Sequence, residues 1–210
     1  MKRLIISLIM IGAALGGCGK KGGKNDVSQP GQGGGVTNTS QIVTFAVFGN
    51  TGLTTDNGES FIELIKALNK YGVDFSVNVG NSLPEGVPSS GVGPLWDAVD
   101  EVIGMVDTPV YPVVGRNDIF DYKSDIAYTE QYGPLWYSFR CRGVLGVVLN
   151  TEDETYKIGF GSKPRIGEEQ VQWLEKCLKE SRDDTYKILF MSRPLWRDSP
   201  MLWKESSFRF

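Results

Sequence analysis

The sequence predicts an α/β domain built on a parallel sheet. Three observations carry this. A near-continuous apolar, β-branched run occurs at residues 42–48, and further strand-like stretches occur at 74–79 and 110–114. Two stretches between them, 59–71 and 94–106, carry apolar residues at helical spacing. Each run stops in a small polar turn. Strand, helix, strand, helix, strand demands right-handed crossovers between parallel strands. A chain of 210 residues allows one such domain and an appendage.

The appendage comes first. Lys2 and Arg3 precede an apolar run at 4–15, and Gly16 and Gly17 lead to Cys18. Positive, apolar, small is the order of a secretory signal, and the run is short for a spanning helix. Leu15-Gly16-Gly17-Cys18 resembles the bacterial lipobox. That resemblance implies a signal peptide at 1–17, lipidation of the Cys18 thiol and an exported protein anchored through Cys18 to the membrane of the bacterial cell envelope. Two or more acyl chains make such an anchor stable. A plain signal peptide with an incidental cysteine is the alternative. Residues 18–40 follow as a Gly-rich tether, with Val27 and Val36 its apolar side chains. Such a composition buries too little surface to fold. Lys20, Lys21 and Lys24 read as a solvated start to the tether; contact with anionic headgroups is the other reading.

The folded part spans 41–210. The run at 42–48 is a buried strand; Gly49-Asn50-Thr51-Gly52 turns the chain, and Gly72 ends the helix at 59–71. The strand at 74–79 ends in Gly80-Asn81-Ser82, and the strand at 110–114 ends in Gly115-Arg116-Asn117-Asp118. The rhythm then changes. Residues 135–139 and 144–150 read as a hairpin around Cys141-Arg142-Gly143. An amphipathic helix at 168–181 places Cys177 inward, and a last strand at 186–191 stops at Ser192-Arg193-Pro194. Ligand sites in open α/β sheets form outside the carboxyl ends of strands, so four polar loops are expected to converge there. Turn-making by Gly and Asn alone is the plainer explanation of any one of them.

Composition removes whole classes of chemistry. The chain has 0 histidines, which excludes Ser-His-Asp and Cys-His catalysis and imidazole metal ligands. A net charge of -3 gives no basic footprint for nucleic acid. Cys18, Cys141 and Cys177 are too scattered for a disulfide scaffold.

The ordered set of loops resembles the calcineurin-like metallophosphoesterases over about residues 42–196. That family's pattern is Asp-x-His, Gly-Asp, Gly-Asn-His-Asp/Glu, a lone His, then Gly-His-x-His. Here the motifs fall on Gly49-Asn50-Thr51-Gly52, Gly80-Asn81, Gly115-Arg116-Asn117-Asp118 and Ser192-Arg193-Pro194-Leu195-Trp196. Tyr132 to Phe139 and Gly146 to Thr151 also resemble family segments. The resemblance implies a four-layer α-β-β-α sandwich, with the second sheet incomplete because the Gly-His-x-His segment is absent. It also implies a dinuclear metal centre, but the ligands have changed. Asn50 stands for the first metal-binding Asp, Gly52 for the first His and Asn81 for the bridging Asp. Arg116 stands for the metal-binding Asn, Asn117 for the catalytic His and Ser192 for the later His. Asp118 keeps an acidic family position, with a structural role expected.

Amide and hydroxyl groups are poor ligands for a dinuclear transition-metal site. The reading is therefore a membrane-anchored protein whose calcineurin-like phosphoesterase domain holds no metal, has no catalytic residues and acts by binding. A phosphate or other anion would meet Asn50, Asn81, Arg116, Asn117 and Ser192, aided by loop amides; a partner protein is the other ligand class. Two alternatives stand beside it. One is a residual metal-dependent phosphoesterase using Asp56, Asp118 or Asp121. The other is a truncated, decayed product whose open sheet edge is covered by the apolar tail at 200–210, by a partner chain, or by aggregation.

Overall fold

The computed structural model describes residues 8–13, 42–52, 58–152, 164–182, 184 and 186–195. Cys18, the tether, Asp56, Asp153, Asp183, Trp196 and the tail lie outside them. Seven strands and four helices are described: β1 Leu8–Ala13, β2 Ile42–Phe48, α1 Glu59–Tyr71, β3 Phe75–Asn78, α2 Val92–Ile103, β4 Val110–Pro112, α3 Tyr122–Tyr132, β5 Tyr137–Cys141, β6 Val144–Leu149, α4 Glu168–Glu180 and β7 Tyr186–Met191.

The strands form two sheets, β1-β2-β3-β4 and β5-β6-β7. As the crossover rhythm requires, β2, β3 and β4 run parallel, with Phe45 beside Phe75 and Ser76 beside Val110. β5 and β6 are the expected antiparallel hairpin, and β7 runs parallel to β6. β1 lies antiparallel along β2, from Leu8 opposite Val47 to Ala13 opposite Ile42. The sequence reading places no strand there. An apolar run suits a free sheet edge as well as it suits an export signal, so the same residues serve both readings. Among the described residues no helix is long and apolar enough to cross a membrane.

The sheets face each other across one core of Val43, Phe45, Phe75, Val77 and Val113 against Phe139, Cys141, Val144, Val148 and Phe190. Phe45 stacks on Phe75 with ring centroids 5.0 Å apart and meets Phe190 edge-on at 6.1 Å. Burying one such ring contributes about 2–3 kcal/mol. The other face of the first sheet is covered by α1, through Phe61, Ile65 and Leu68, and by α2 and α3, through Trp96, Val99 and Tyr128. Leu174 of α4 covers Leu145, Val147 and Leu149 of the second sheet. The layers are thus α-β-β-α, as the resemblance implies, and the second sheet has three strands among the described residues.

Several boundaries differ from the sequence reading, each for a local reason. α2 starts at Val92 because a short 3-10 turn at Ser89–Gly91 leads into it, with Pro94 tolerated in its first turn. It ends before Gly104, not at Val106. β4 stops at Pro112, although the Val113 N–H still reaches Asn78 O at 2.7 Å. β5 runs to Cys141, because the hairpin turn is the two-residue pair Arg142-Gly143, with φ of 50° and 78°. β6 ends at Leu149, where Asn150 turns away to bond Gln170. The sequence reading places no helix at α3. It buries little besides Ser124 and Tyr128, so it shows no apolar period. Its start is a capping box: Ser124 N–H donates to Asp121 Oδ1 at 2.8 Å, and the Asp121 N–H donates to Ser124 Oγ at 2.9 Å.

Candidate functional site

Two contacts fix the relative direction of the sheets. Arg142, in the turn just before β6, pairs with Asp74, just before β3, at 2.8 Å. Tyr137, opposite the end of β6, donates its hydroxyl to Pro112 O, at the end of β4, at 2.8 Å. The carboxyl ends of β2, β3, β4, β6 and β7 therefore share one end of the sandwich, and all four expected loops lie there.

The first three loops are knitted together. Asn50, in the left-handed region at φ 56°, donates its N–H to Gly80 O at 2.8 Å. A Cβ on Gly80, itself at φ 86°, would lie 2.6 Å from Gly115 N, so the second and third loops touch only because this residue is glycine. Asp118, buried at their junction, accepts four backbone N–H bonds. Oδ1 takes Ser82 at 2.9 Å and Leu83 at 3.1 Å; Oδ2 takes Asn81 at 2.8 Å and Gly115 at 2.8 Å. Burial pushes the Asp118 carboxyl up to about 6, against the opposing pull of these four donors. Asn81, at φ 57°, accepts the Asn117 N–H on its side-chain Oδ1 at 3.1 Å.

The fourth loop is held by the second sheet. The Arg193 N–H donates to Thr151 Oγ1 at 3.2 Å, and its guanidinium meets the fully buried Glu152 carboxylate at 3.0 Å. Glu152 and Thr151 follow β6, where Asn150 and Gln170 exchange two hydrogen bonds. The sequence motifs assign no partner to Arg193 and no role to Glu152. An acidic residue just past a buried strand was the signal available for it.

The structure thus joins Asn50, Asn81 and Asn117 through three touching loops, with Arg116 half-buried between Gly115 and Asn117. Ser192 sits at the same end on the opposing sheet. One expectation fails. The loop amides expected to help hold an anion are engaged within the chain: those of Asn81, Ser82, Leu83 and Gly115 by Asp118, that of Asn117 by Asn81, and that of Asn50 by Gly80. Asp118 takes up four of these amides, so an anion there must rely on side chains.

The residual-phosphoesterase carboxylates do not gather into a ligand set. Asp118 is committed to backbone donors, and Asp121 caps α3. Desolvation raises Asp121, but the Ser124 N–H and hydroxyl outweigh it and hold its carboxyl below the usual range. Among the described residues no three His, Cys, Asp or Glu side chains form a metal-binding group. At the positions where the resemblance implies ligands, the donors are neutral carboxamides, a guanidinium and a hydroxyl, with Asn81 Oδ1 already bonded to an amide. That set does not fit a dinuclear metal centre, which needs carboxylate and imidazole to balance two cations.

Together the two packed sheets, their helical covers and the shared loop end define a metallophosphoesterase-type α/β sandwich. Comparison with a solved structure agrees. A dimetal phosphatase from Danio rerio is similar over 72% of this chain and 70% of its own, at 12% identity and a TM-score of 0.53. A purple acid phosphatase from yellow lupin (Lupinus luteus) seeds is similar over 71% of this chain at 16% identity and a TM-score of 0.48. The match spans only 32% of the lupin enzyme's length. At these identities the likeness is one of fold. No family model matches the chain, and no curated protein does.

Proposed function

We propose that this is a membrane-anchored protein that uses a metallophosphoesterase-type domain for binding, with no metal and no catalysis. One observation carries the reading. Asn81, at the position the resemblance gives to the bridging carboxylate, is a neutral amide whose Oδ1 accepts the Asn117 N–H at 3.1 Å. Asn50, Arg116, Asn117 and Ser192 complete a set of neutral and positive groups at the strand ends. They suit an oxyanion held by side chains, with Arg116 supplying the charge. The resemblance of residues 15–18 to a lipobox supports export and attachment through a lipidated Cys18.

The test is metal content by mass spectrometry on the purified chain after incubation with manganese, iron and zinc, beside thermal melts with inorganic phosphate. The expected result is a cooperatively melting protein without stoichiometric metal, stabilised by phosphate. Two bound metal equivalents would overturn the non-catalytic reading and direct attention to phosphate-ester hydrolysis. For the anchor, Cys18→Ala is expected to move the protein from the membrane fraction to the soluble one.

A further inference from the structure

Buried hydroxyls nearly always have a hydrogen-bond partner, and each one that does not calls for an explanation, such as strain, a water or ion, or a functional role. Among the described residues, five buried side-chain polar atoms have none, and two of them, Thr51 Oγ1 and Ser192 Oγ, lie at the loop end of the sandwich. Thr51 is only 8% exposed. It directly follows Asn50, whose N–H ties the first loop to Gly80 O, so its backbone is anchored at the junction of the loops. Ser192 follows β7, the strand whose Phe190 packs edge-on against Phe45 of β2. The two hydroxyls thus end facing strands of opposite sheets. The amides of Asn50, Asn81, Ser82, Leu83, Gly115 and Asn117 are already engaged, whereas these two hydroxyls are buried without a partner.

We propose that Thr51 Oγ1 is the buried donor through which the strand-end loops hold a tetrahedral oxyanion. The inference rests on the anion reading above and adds a donor to Asn50, Asn81, Arg116, Asn117 and Ser192, the residues that reading names. A residue kept for a ligand leaves a signature that a structural residue does not. In the free protein its hydroxyl lacks a partner, so the isosteric change Thr51→Val removes a desolvation penalty and stabilises the fold. The same change weakens binding.

The experiment is a set of thermal melts of the full chain, with and without inorganic phosphate, for the wild type, Thr51→Val and Thr51→Ser. Thr51→Val is expected to raise the Tm of the free protein by about 2–4 °C and to weaken phosphate affinity by about tenfold. Thr51→Ser is expected to keep the affinity. If wild-type phosphate melts are unshifted, the anion reading falls and this proposal with it. If the wild type is stabilised and Thr51→Val binds equally well, the proposal alone is overturned. A lower Tm for free Thr51→Val also overturns it, since the hydroxyl would then be serving the fold.

Discussion

Asp118 and Asn81 are bound to each other through the backbone: the Asn81 N–H donates to Asp118 Oδ2 at 2.8 Å. The Asn81 side chain then turns to accept the N–H of Asn117, the residue before Asp118, at 3.1 Å. Two loops from neighbouring strands are thereby locked into one unit. The lock engages the Asp118 carboxylate, Asn81 Oδ1 and the loop amides, so a ligand would meet the other loop side chains.

Asp118→Asn breaks this lock. Each carboxylate oxygen accepts two N–H bonds, so whichever way the amide is turned, its NH2 faces two backbone donors. A buried donor left unsatisfied costs about 1–3 kcal/mol. The variant is expected to lose about 3 kcal/mol or more, read from urea unfolding of the full chain. A loss below 1 kcal/mol would show that the loops hold without the carboxylate.

The same residue sets a pH dependence. In the folded chain Asp118 titrates near 6, above its ordinary value of 3.8. Between those values the folded state keeps a proton that the unfolded state has released. Its contribution is therefore fully present below about pH 4 and is lost as pH rises through 6, a fall of about 3 kcal/mol from this group. Stability measured from pH 4 to 7 should decline more steeply for the wild type than for Asp118→Asn; parallel curves would contradict this.

Asn81→Asp introduces a second carboxylate on the residue whose N–H donates to Asp118 Oδ2. At pH 7 the two like charges should destabilise the protein by about 1–3 kcal/mol. The loss should vanish near pH 4, where one of them is protonated. Added manganese should not recover it, because Asn50, Gly52, Asn117 and Ser192 bring no charged ligand. Recovery by metal would show that one substitution rebuilds a cation site.

Arg193→Ala strips the guanidinium from the fully buried Glu152 carboxylate. Breaking a buried pair by removing one partner costs about 3–5 kcal/mol. Unfolding free energies of Arg193→Ala, Glu152→Gln and the double variant should show strong non-additivity, the double being less destabilised than the sum. Additive losses would mean that Glu152 draws its compensation from elsewhere.

Much of the architecture was legible in order and type. α1 and β7 fall on their sequence-expected bounds because each has a clear period and a clear stop: Gly72 adopts the left-handed cap at φ 64°, and β7 ends in Ser192-Arg193-Pro194. α3 was not legible, because a helix capped by Asp121 and Ser124 but burying little apolar surface leaves no periodic signal.

The sequence by itself determined the crossover pattern, the polar loops after each strand and the amides, arginine and hydroxyl that those loops carry. These follow from local composition, since hydrophobic period and side-chain chemistry are written residue by residue. Only the tertiary structure decided where the loop amides point. Asp118 reaches the amides of Asn81, Ser82 and Leu83 across 35–37 residues of chain. It also decided that Arg193 turns onto Glu152 and that the Thr51 hydroxyl is buried without a partner. Hydrogen-bond satisfaction in a buried loop depends on which strands become neighbours, and that is settled when the sheets pack.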